Sequence, residues 1–152
     1  VLIFFGPVAV AGTYYVQAVS VDSFTMDSLP IIAGLAPGLF SVAILTVNNL
    51  RDMATDRKAG KRTLAVRFGR TFARIEYLLA MFGGAVAVPV YLVYVHQDHW
   101  PALAACATFF LAVPSIYRVF TQQGRKLNDL LAATGKLLLI FSVLFGIGWQ
   151  IT

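Results

Sequence analysis

The chain has 152 residues, of which 59% are hydrophobic and only 12% are charged. Soluble domains carry about 25% charged residues, so this composition excludes an ordinary soluble globular fold and favours a membrane protein. The formal net charge of +5 would also suit a nucleic-acid binder. However, eight of the 12 Lys and Arg residues fall within 51–74, between apolar segments, where basic residues usually mark the cytoplasmic side of a membrane. We therefore expect a lipid bilayer as the surroundings and no nucleic-acid partner.

Five apolar segments follow one another, each close to the roughly 20 residues that a membrane-spanning helix needs. They cover residues 1–19, 29–50, 75–95, 101–120 and 130–151. Lipid offers exposed backbone groups no hydrogen-bond partner, so we predict that each segment is an α-helix. The predicted fold class is all-α, a polytopic transmembrane helical bundle of about five spans that forms one domain over residues 1–152. The first residue is a Val inside an apolar segment, which predicts that N-terminal helices precede this chain in a longer protein.

The loops between these segments alternate in charge. Basic residues are concentrated in loops 51–74 and 118–129, whereas loops 20–28 and 96–100 contain no Lys or Arg. Successive spans must place their connecting loops on alternating sides of the membrane. The positive-inside rule therefore predicts that loops 51–74 and 118–129 are cytoplasmic and that the other two face outward.

One segment, NNLRDMATDRKAGKRTLAVRFGR at residues 48–70, carries most of the polar chemistry. Asn48, Asp52 and Asp56 are spaced four residues apart, so they share one face if the second helix extends through them. Two carboxylates one turn apart form a site of hard oxygen ligands, which Mg²⁺ prefers and commonly shares with phosphate oxygens. We predict that Asp52 and Asp56 are Mg²⁺ ligands and the catalytic acids. Asn48 or Asn49 would position a carboxylate or bind the metal's outer ligands.

Basic residues follow the acidic pair directly. Arg side chains bind phosphate with two parallel hydrogen bonds, and Lys adds a compact positive charge. Gly60 permits a turn that helix-forming residues would resist. The residues predicted to bind a diphosphate are Arg57, Lys61, Arg62 and Arg67. This combination suits a lipid diphosphate whose headgroup lies at the loop and whose tail lies between the helices.

Simpler interpretations of the same residues remain open. A pair of acids four residues apart is a weak pattern by itself, and the charged run is equally compatible with a solvated loop that only fixes topology. Tyr14, in the first segment, either packs at the membrane interface or lines the pocket for the aromatic acceptor, where a tyrosine face would stabilise a cation.

The motif NNLRD…DRKAGKRTLAVRFG resembles the second aspartate-rich motif of the UbiA-type superfamily of intramembrane prenyltransferases. It is most similar to the version in 1,4-dihydroxy-2-naphthoate polyprenyltransferases. The segments FFGPVAVAGTYYVQ at 4–17 and LNDLLAATGKLLLIFSVLFGIGWQI at 127–151 carry the same resemblance, which therefore covers most of the chain.

This resemblance implies a fold of about nine transmembrane helices with two aspartate-rich motifs, of which this chain has only the second. The chain would be the C-terminal half of a Mg²⁺-dependent enzyme of the bacterial inner membrane, inactive without the missing N-terminal half. The implied reaction transfers a polyprenyl group from polyprenyl diphosphate to 1,4-dihydroxy-2-naphthoate in menaquinone or phylloquinone synthesis. Another aromatic acceptor such as 4-hydroxybenzoate, or a non-enzymatic role as a membrane transporter or subunit, is the alternative.

Overall fold

The computed structural model describes residues 1–21 and 28–151. Six α-helices make up most of this part of the chain, which contains no strand, and four short π-helical or 3-10 segments adjoin five of them. In chain order the segments are a π-helical turn at Phe4–Val8, α1 at Ala9–Ser20, α2 at Leu29–Lys58, α3 at Leu64–Phe82, a π-helical turn at Gly83–Ala87, α4 at Val88–Val95, a 3-10 helix at Gln97–Cys106, α5 at Ala107–Thr121, a 3-10 turn at Gly124–Leu127 and α6 at Asn128–Gln150. The all-α prediction is confirmed.

Four continuous helical stretches in the described ranges are long and apolar enough to cross a membrane. They are Leu29–Lys58, Leu64–Val95, Gln97–Thr121 and Gly124–Gln150, and they correspond to the second to fifth apolar segments of the sequence. The first predicted span is helical over Phe4–Val8 and α1 but is not one of the four. The predicted number of about five spans is thus approximate.

Only one of the two predicted outer loops, 96–100, lies fully within the described residues. Most of the predicted outer loop at 20–28, including both of its acidic residues, lies outside the described residues. The predicted loop at 96–100 is mostly the beginning of the 3-10 helix Gln97–Cys106. There the ring of His99 stacks on Trp149 of α6, with 4.0 Å between the ring centroids, and this contact holds the segment against the bundle.

Helix α2 is the central element, since it packs against α1, α3, α4 and α6. Its apolar face is fully buried at Phe40, Ala43 and Val47, and the Phe40 ring lies 5.1 Å from the ring of Phe141 in α6. With 30 residues, the helix is about 45 Å long, whereas the hydrocarbon core of a bilayer is about 30 Å thick. Its last turns therefore extend past the apolar layer.

The ends of four helices meet where the basic residues are concentrated. Arg51 of α2 contacts Asn128 of α6, and Arg74 of α3 donates to the backbone oxygen of Val119 in α5. We call this the basic end of the bundle, which comprises residues 48–74 and 115–131. The two basic loops that were predicted to share one side of the membrane thus lie at the same end of the structure.

The first helical segment crosses α2 at a point where only glycine leaves enough room. Gly6 is kinked, with φ −115° and ψ −108°, and it packs against Gly34. A Cβ atom added at Gly34 would lie 2.7 Å from the Cα of Pro7 and 2.8 Å from the carbonyl carbon of Gly6. These are backbone atoms, so the clash could be relieved only by moving one helix away from the other. Small residues commonly permit such close helix crossings in membranes.

We expect Gly34→Ala to lower the stability of the chain by about 1–3 kcal/mol, the usual cost of overpacking. Gly12→Ala is the matched control, since nothing lies within 4 Å of a Cβ atom at that position and alanine favours helix. The measurement is the midpoint of thermal unfolding in detergent. Equal midpoints for the two variants would contradict the tight crossing.

Candidate functional site

The two acidic residues of the central motif lie one turn apart near the end of α2. Asp52 accepts two hydrogen bonds from the Arg51 guanidinium, from Nε to Oδ1 at 2.7 Å and from Nη2 to Oδ2 at 2.5 Å. The side chain of Asp52 is 34% exposed, whereas that of Asp56 is only 11% exposed. Asp52 is therefore the more accessible of the two carboxylates.

Asp52 follows the apolar run that ends at Leu50, so it lies outside the membrane-spanning part of the helix. The hydrogen bonds from Arg51 hold the pKa of the Asp52 carboxyl below its ordinary value, because they stabilise its charged form. Asp52 is consequently ionised at neutral pH and available as an anionic ligand.

Arg51 also connects α2 to α6. Its Nη2 donates to Asn48 Oδ1 at 2.7 Å, and its Nη1 donates to Asn128 Oδ1 at 3.0 Å. One guanidinium thus contacts three side chains, of which Asn128 stands 77 residues further along the chain. This network fixes the orientation of Asp52 and the position of the first turn of α6.

A tight turn after α2 brings a lysine back to Asp56. The backbone N–H of Lys61 donates to the backbone oxygen of Asp56 at 2.9 Å, and the backbone N–H of Gly60 donates to the backbone oxygen of Arg57 at 3.3 Å. With Gly60 at φ +72°, this is the Schellman arrangement that commonly ends helices. It places the Lys61 Nζ 3.4 Å from Asp56 Oδ1, so each of the two carboxylates has a cationic partner.

Two cavities lie next to each other along the groove between α2 and α6. The polar cavity, at the basic end, has a volume of about 430 Å³, and its lining residues are Arg51, Asp52, Ala54, Thr55, Gly124, Arg125 and Asn128. The apolar cavity has a volume of about 560 Å³, and its lining residues are Val1, Phe5, Ser41, Ile44, Leu45, Asn48 and Leu131. The hydrogen bond between Asn48 and Arg51 links the two cavities. The groove can therefore accept a ligand with a charged head and an apolar tail.

The structure brings together only some of the residues that the sequence singled out. Asn48 and Asp52 line the two cavities, and Asp56 pairs with Lys61 one turn further along. Asp56 and Lys61 line neither cavity. The same holds for the other predicted residues: Asn49 is half-buried, and Arg57, Arg62 and Arg67 are exposed.

Tyr14 lies far from the acidic pair. It lines a separate cavity of about 380 Å³ together with Ala33 of α2 and Trp149 of α6. Ala33 and Asp52 are 19 residues apart in one helix, which corresponds to about 28 Å. The structure thus places Tyr14 toward the opposite end of the bundle, and its role in acceptor binding stays a prediction.

Sequence reasoning missed the three other charged or amide side chains of the polar cavity: Arg51, Arg125 and Asn128. Arg51 stands beside Asp52 in the motif, and that adjacency was the available signal. No signal in the sequence pointed to Asn128, because its contact with Arg51 arises only from the packing of α6 on α2.

The donor set is chemically suitable for Mg²⁺. Asp52, Asp56 and Asn48 offer oxygen atoms on one face of α2, and Mg²⁺ is usually bound by one or two carboxylates plus oxygens of a phosphate ligand. No group of three or more His, Cys, Asp or Glu residues that could hold a metal occurs in the described part of the chain. A metal here would accordingly depend on oxygens of its ligand for the rest of its coordination.

A family model described as the UbiA prenyltransferase family matches residues 1–140 of the chain. The chain belongs to the UbiA prenyltransferase family. Together with its four apolar helices, this membership makes it an integral membrane protein. No solved structure matches it.

Relatives of this UbiA-family chain carry two kinds of name. It is 35% identical to "1,4-dihydroxy-2-naphthoate octaprenyltransferase" of Haemophilus influenzae and 32% identical to the Escherichia coli protein of the same name, in both cases over 97% of the chain and 46% of the relative. It is 35% identical to human "UbiA prenyltransferase domain-containing protein 1", over 97% of the chain and 40% of the relative. The chain thus spans less than half the length of these relatives.

We expect Gly60→Ala to lower stability by about 1–2 kcal/mol, because alanine adopts a left-handed backbone only with strain. Gly60→Asn should lower it less, since asparagine visits this conformation more readily. Nothing lies within 4 Å of a Cβ atom at Gly60, so the difference between the variants would report backbone strain alone. Thermal unfolding in detergent measures it, and an alanine variant as stable as the asparagine variant would contradict the turn.

Proposed function

We propose that this chain forms the polyprenyl diphosphate site of an aromatic prenyltransferase and that the complete enzyme acts on 1,4-dihydroxy-2-naphthoate. The observation that carries this proposal is the pair of adjacent cavities between α2 and α6. A charged cavity lined by Asp52, Arg51 and Arg125 lies beside an apolar cavity lined by residues such as Ile44 and Leu131. That arrangement matches a molecule with a diphosphate head and a hydrocarbon tail.

The acceptor is inferred from the relatives. Proteins named 1,4-dihydroxy-2-naphthoate octaprenyltransferase match nearly the whole chain at 32–36% identity. The reaction would then belong to menaquinone or phylloquinone synthesis. The human relative, which matches at 35% identity, carries a name that specifies no acceptor, so the family alone leaves the acceptor to be tested.

Asp52, Asp56 and Asn48 are the residues that would hold Mg²⁺. When bound, the ion would neutralise negative charge on the diphosphate leaving group. The side chains of this chain then have separate tasks. Arg51 acts as a positioning residue because it keeps both oxygens of Asp52 in a fixed orientation. Lys61, 68% exposed, is able to turn from Asp56 toward a phosphate oxygen.

The apolar cavity serves the chemistry by excluding water. In the proposed reaction the bond between the allylic carbon and the diphosphate oxygen breaks, and its electron pair leaves with the diphosphate. The electron-rich ring carbon of the naphthoate forms the new bond, and the carboxylate at that carbon leaves as CO₂, which restores the aromatic ring. Water would capture the cationic allyl group, so an apolar lining of residues such as Phe5, Ile44 and Leu45 would protect it by keeping water away.

The proposed location is the bacterial inner membrane, with the basic end in the cytoplasm. Residues 48–74 and 115–131 form that end, and the positive-inside rule places such regions on the cytoplasmic side. Soluble substrates and Mg²⁺ would then reach the polar cavity from the cytoplasm.

Transfer activity tests the role of the acidic pair. In a chimera that carries this chain in place of the matching half of the E. coli relative, we expect Asp52→Asn and Asp56→Asn each to lower transfer from a prenyl diphosphate by at least about 100-fold, since each removes charge that stabilises the leaving group. The assay follows radiolabelled prenyl groups into product at saturating Mg²⁺. Asp98→Asn, at the opposite end of the bundle, is the control and should keep full activity.

The same assay decides the acceptor. We expect product with 1,4-dihydroxy-2-naphthoate and little with 4-hydroxybenzoate. Normal turnover by both acidic variants would refute the metal assignment, whereas product only with 4-hydroxybenzoate would refute the acceptor.

The positioning role of Arg51 predicts a specific change in metal dependence. Arg51→Lys keeps the charge but loses the two parallel hydrogen bonds to Asp52, so we expect the Mg²⁺ concentration for half-maximal activity to rise by about 10- to 100-fold, as when other outer-shell contacts of a metal site are removed. Turnover should recover at high Mg²⁺. An unchanged Mg²⁺ requirement combined with lower turnover would instead indicate a purely structural contact.

A further inference from the structure

The cavity that contains Tyr14 is built from the same helices as the apolar cavity beside the acidic pair. Its lining residues include Val10 and Tyr14 of α1, Pro30 and Ala33 of α2, and Phe145 and Trp149 of α6. We call it the aromatic cavity. The apolar cavity takes Phe5 from the π-helical turn that leads into α1, Ile44 from α2 and Leu131 from α6. The same three parts of the chain therefore line both cavities.

A row of α2 side chains leads from one cavity to the other. Ser41 lines the apolar cavity and Ala33 lines the aromatic cavity, and Pro37 stands between them. These residues are spaced four apart, so they are neighbours on one face of the helix. The Ser41 hydroxyl donates to the backbone oxygen of Pro37 at 2.9 Å, so it is already paired. Gly34, where the first helical segment crosses α2, stands about 100° round the helix from Ala33, so the crossing lies to one side of this row.

A second row of side chains runs along α6. Leu131, Leu138 and Phe145 are seven residues apart, which is close to two turns, so they share one face of the helix. Leu131 lines the apolar cavity, Phe145 lines the aromatic cavity, and Leu138 between them is half-buried. All three side chains are apolar. The rows on α2 and α6 thus form an apolar groove that joins the two cavities.

The aromatic cavity has a wall that is fixed before any ligand binds. The Trp149 ring stacks on the ring of His99, with 4.0 Å between the centroids and 7° between the planes, and Nδ1 of His99 lies 3.0 Å from the Trp149 backbone oxygen. On α6 itself, the Phe145 ring stacks on Trp149 at 5.4 Å. Ligand sites are usually preformed in this way and lined by apolar and aromatic side chains.

The distance between the cavities corresponds to a long prenyl tail. Ala33 and Asp52 are 19 residues apart in α2, which is about 28 Å. An extended chain advances about 1.2 Å per bond, so an isoprene unit with four bonds along the chain spans about 4.8 Å. A tail whose diphosphate lies at Asp52 would bring its sixth unit level with Ala33. A farnesyl tail of three units would end near Ser41, within the apolar cavity.

We propose that the aromatic cavity binds the far end of the polyprenyl tail and thereby makes the site selective for tails of about six or more isoprene units. This inference rests on the function proposed above, since it extends the diphosphate site along the same groove. Tyr14 would then contact hydrocarbon and not the aromatic acceptor, which agrees with its distance from the acidic pair.

The alternative path for the tail is sideways, out of the apolar cavity and into the bilayer. The groove between the cavities offers packing contacts to each successive unit, and these add up over a long chain. Its length of about 28 Å also matches the hydrocarbon core of a bilayer, which is about 30 Å thick. A tail in the groove therefore stays in apolar surroundings from the headgroup to the aromatic cavity.

Filling the aromatic cavity tests the proposal in the chimera described above. Ala33→Phe places a ring in the cavity, and we expect the KM for hexaprenyl diphosphate, which has six units, to rise by about 10-fold, a usual effect of overpacking. The KM for farnesyl diphosphate should change by less than about twofold, because its tail ends in the apolar cavity. Ile31→Phe is the matched control, since Ile31 of the same helix is 52% exposed and lines neither cavity, and it should change neither KM.

The farnesyl reaction also shows whether each variant is folded. If Ala33→Phe loses both reactions, Val10→Phe fills the same cavity from α1 and should reproduce the selective effect. An unchanged KM for hexaprenyl diphosphate, or an equal rise for both diphosphates in a folded variant, would overturn the proposal. Failure of the wild-type chimera to transfer either prenyl group would instead refute the proposed function itself.

Photolabelling measures the position of the tail directly. The probe is hexaprenyl diphosphate with a diazirine on its last isoprene unit, and we expect mass spectrometry to find the label on peptides that contain Val10, Ala33 or Trp149. A farnesyl probe of the same design should label peptides that contain Ile44 or Leu131. Hexaprenyl label found only on lipid, or only on the peptides that the farnesyl probe labels, would show that the tail leaves the groove and would overturn the proposal.

Discussion

The basic end of the bundle depends on the guanidinium of Arg51. This group is planar and presents its donors in a fixed fork, so it can contact Asp52, Asn48 and Asn128 at the same time. The first two partners belong to α2 and the third to α6. One side chain therefore orients a carboxylate and also joins the two helices at this end. A lysine would offer a compact charge without the geometry that fixes both.

Charge pairing before ligand binding explains how two acids can stand one turn apart near the membrane. Asp52 is neutralised by Arg51 and Asp56 by Lys61, so neither carboxylate is left with an uncompensated charge, which is costly where water is scarce. The second pair depends on the left-handed backbone of Gly60, which turns the chain back after α2. A ligand that brings both a metal and phosphate oxygens can replace both contacts of such a pair, since the metal binds the carboxylate and a phosphate oxygen binds the cationic side chain. Every charge of the site then keeps an opposite charge beside it after binding.

The sequence predicted the features that depend on local effects, and it did not predict contacts that depend on how the helices pack. The apolar segments predicted the four long helices, and the four-residue spacing placed Asn48, Asp52 and Asp56 on one face of a helix that does extend through them. The contact of Arg51 with Asn128 depends on how α6 packs, and no periodicity within either helix encodes it. For the same reason the position of Tyr14 beside Ala33 and Trp149, away from the acidic pair, was not predicted. The first apolar segment is helical over Phe4–Val8 and Ala9–Ser20, as its composition predicted.

Two sets of cations at one end of the bundle differ in what surrounds them, and this difference determines what each can bind. Arg51 and Lys61 are paired with carboxylates that can also hold a metal, so an anion that arrives with its own cation fits them best. Arg70 and Arg74 of α3 form no ion pair with an acidic side chain among the described residues, and Arg74 lies beside the Phe120 ring instead, so an anion that needs no metal fits them. Both sets meet the requirement that positive charge mark one side of a membrane protein. Topology alone would be satisfied by cations anywhere in these loops, whereas the contacts of Arg51 with Asn128 and of Arg74 with Val119 place them at helix junctions. At a junction a bound anion also holds two helices together, and ligand binding at this end is thereby coupled to the packing of the bundle.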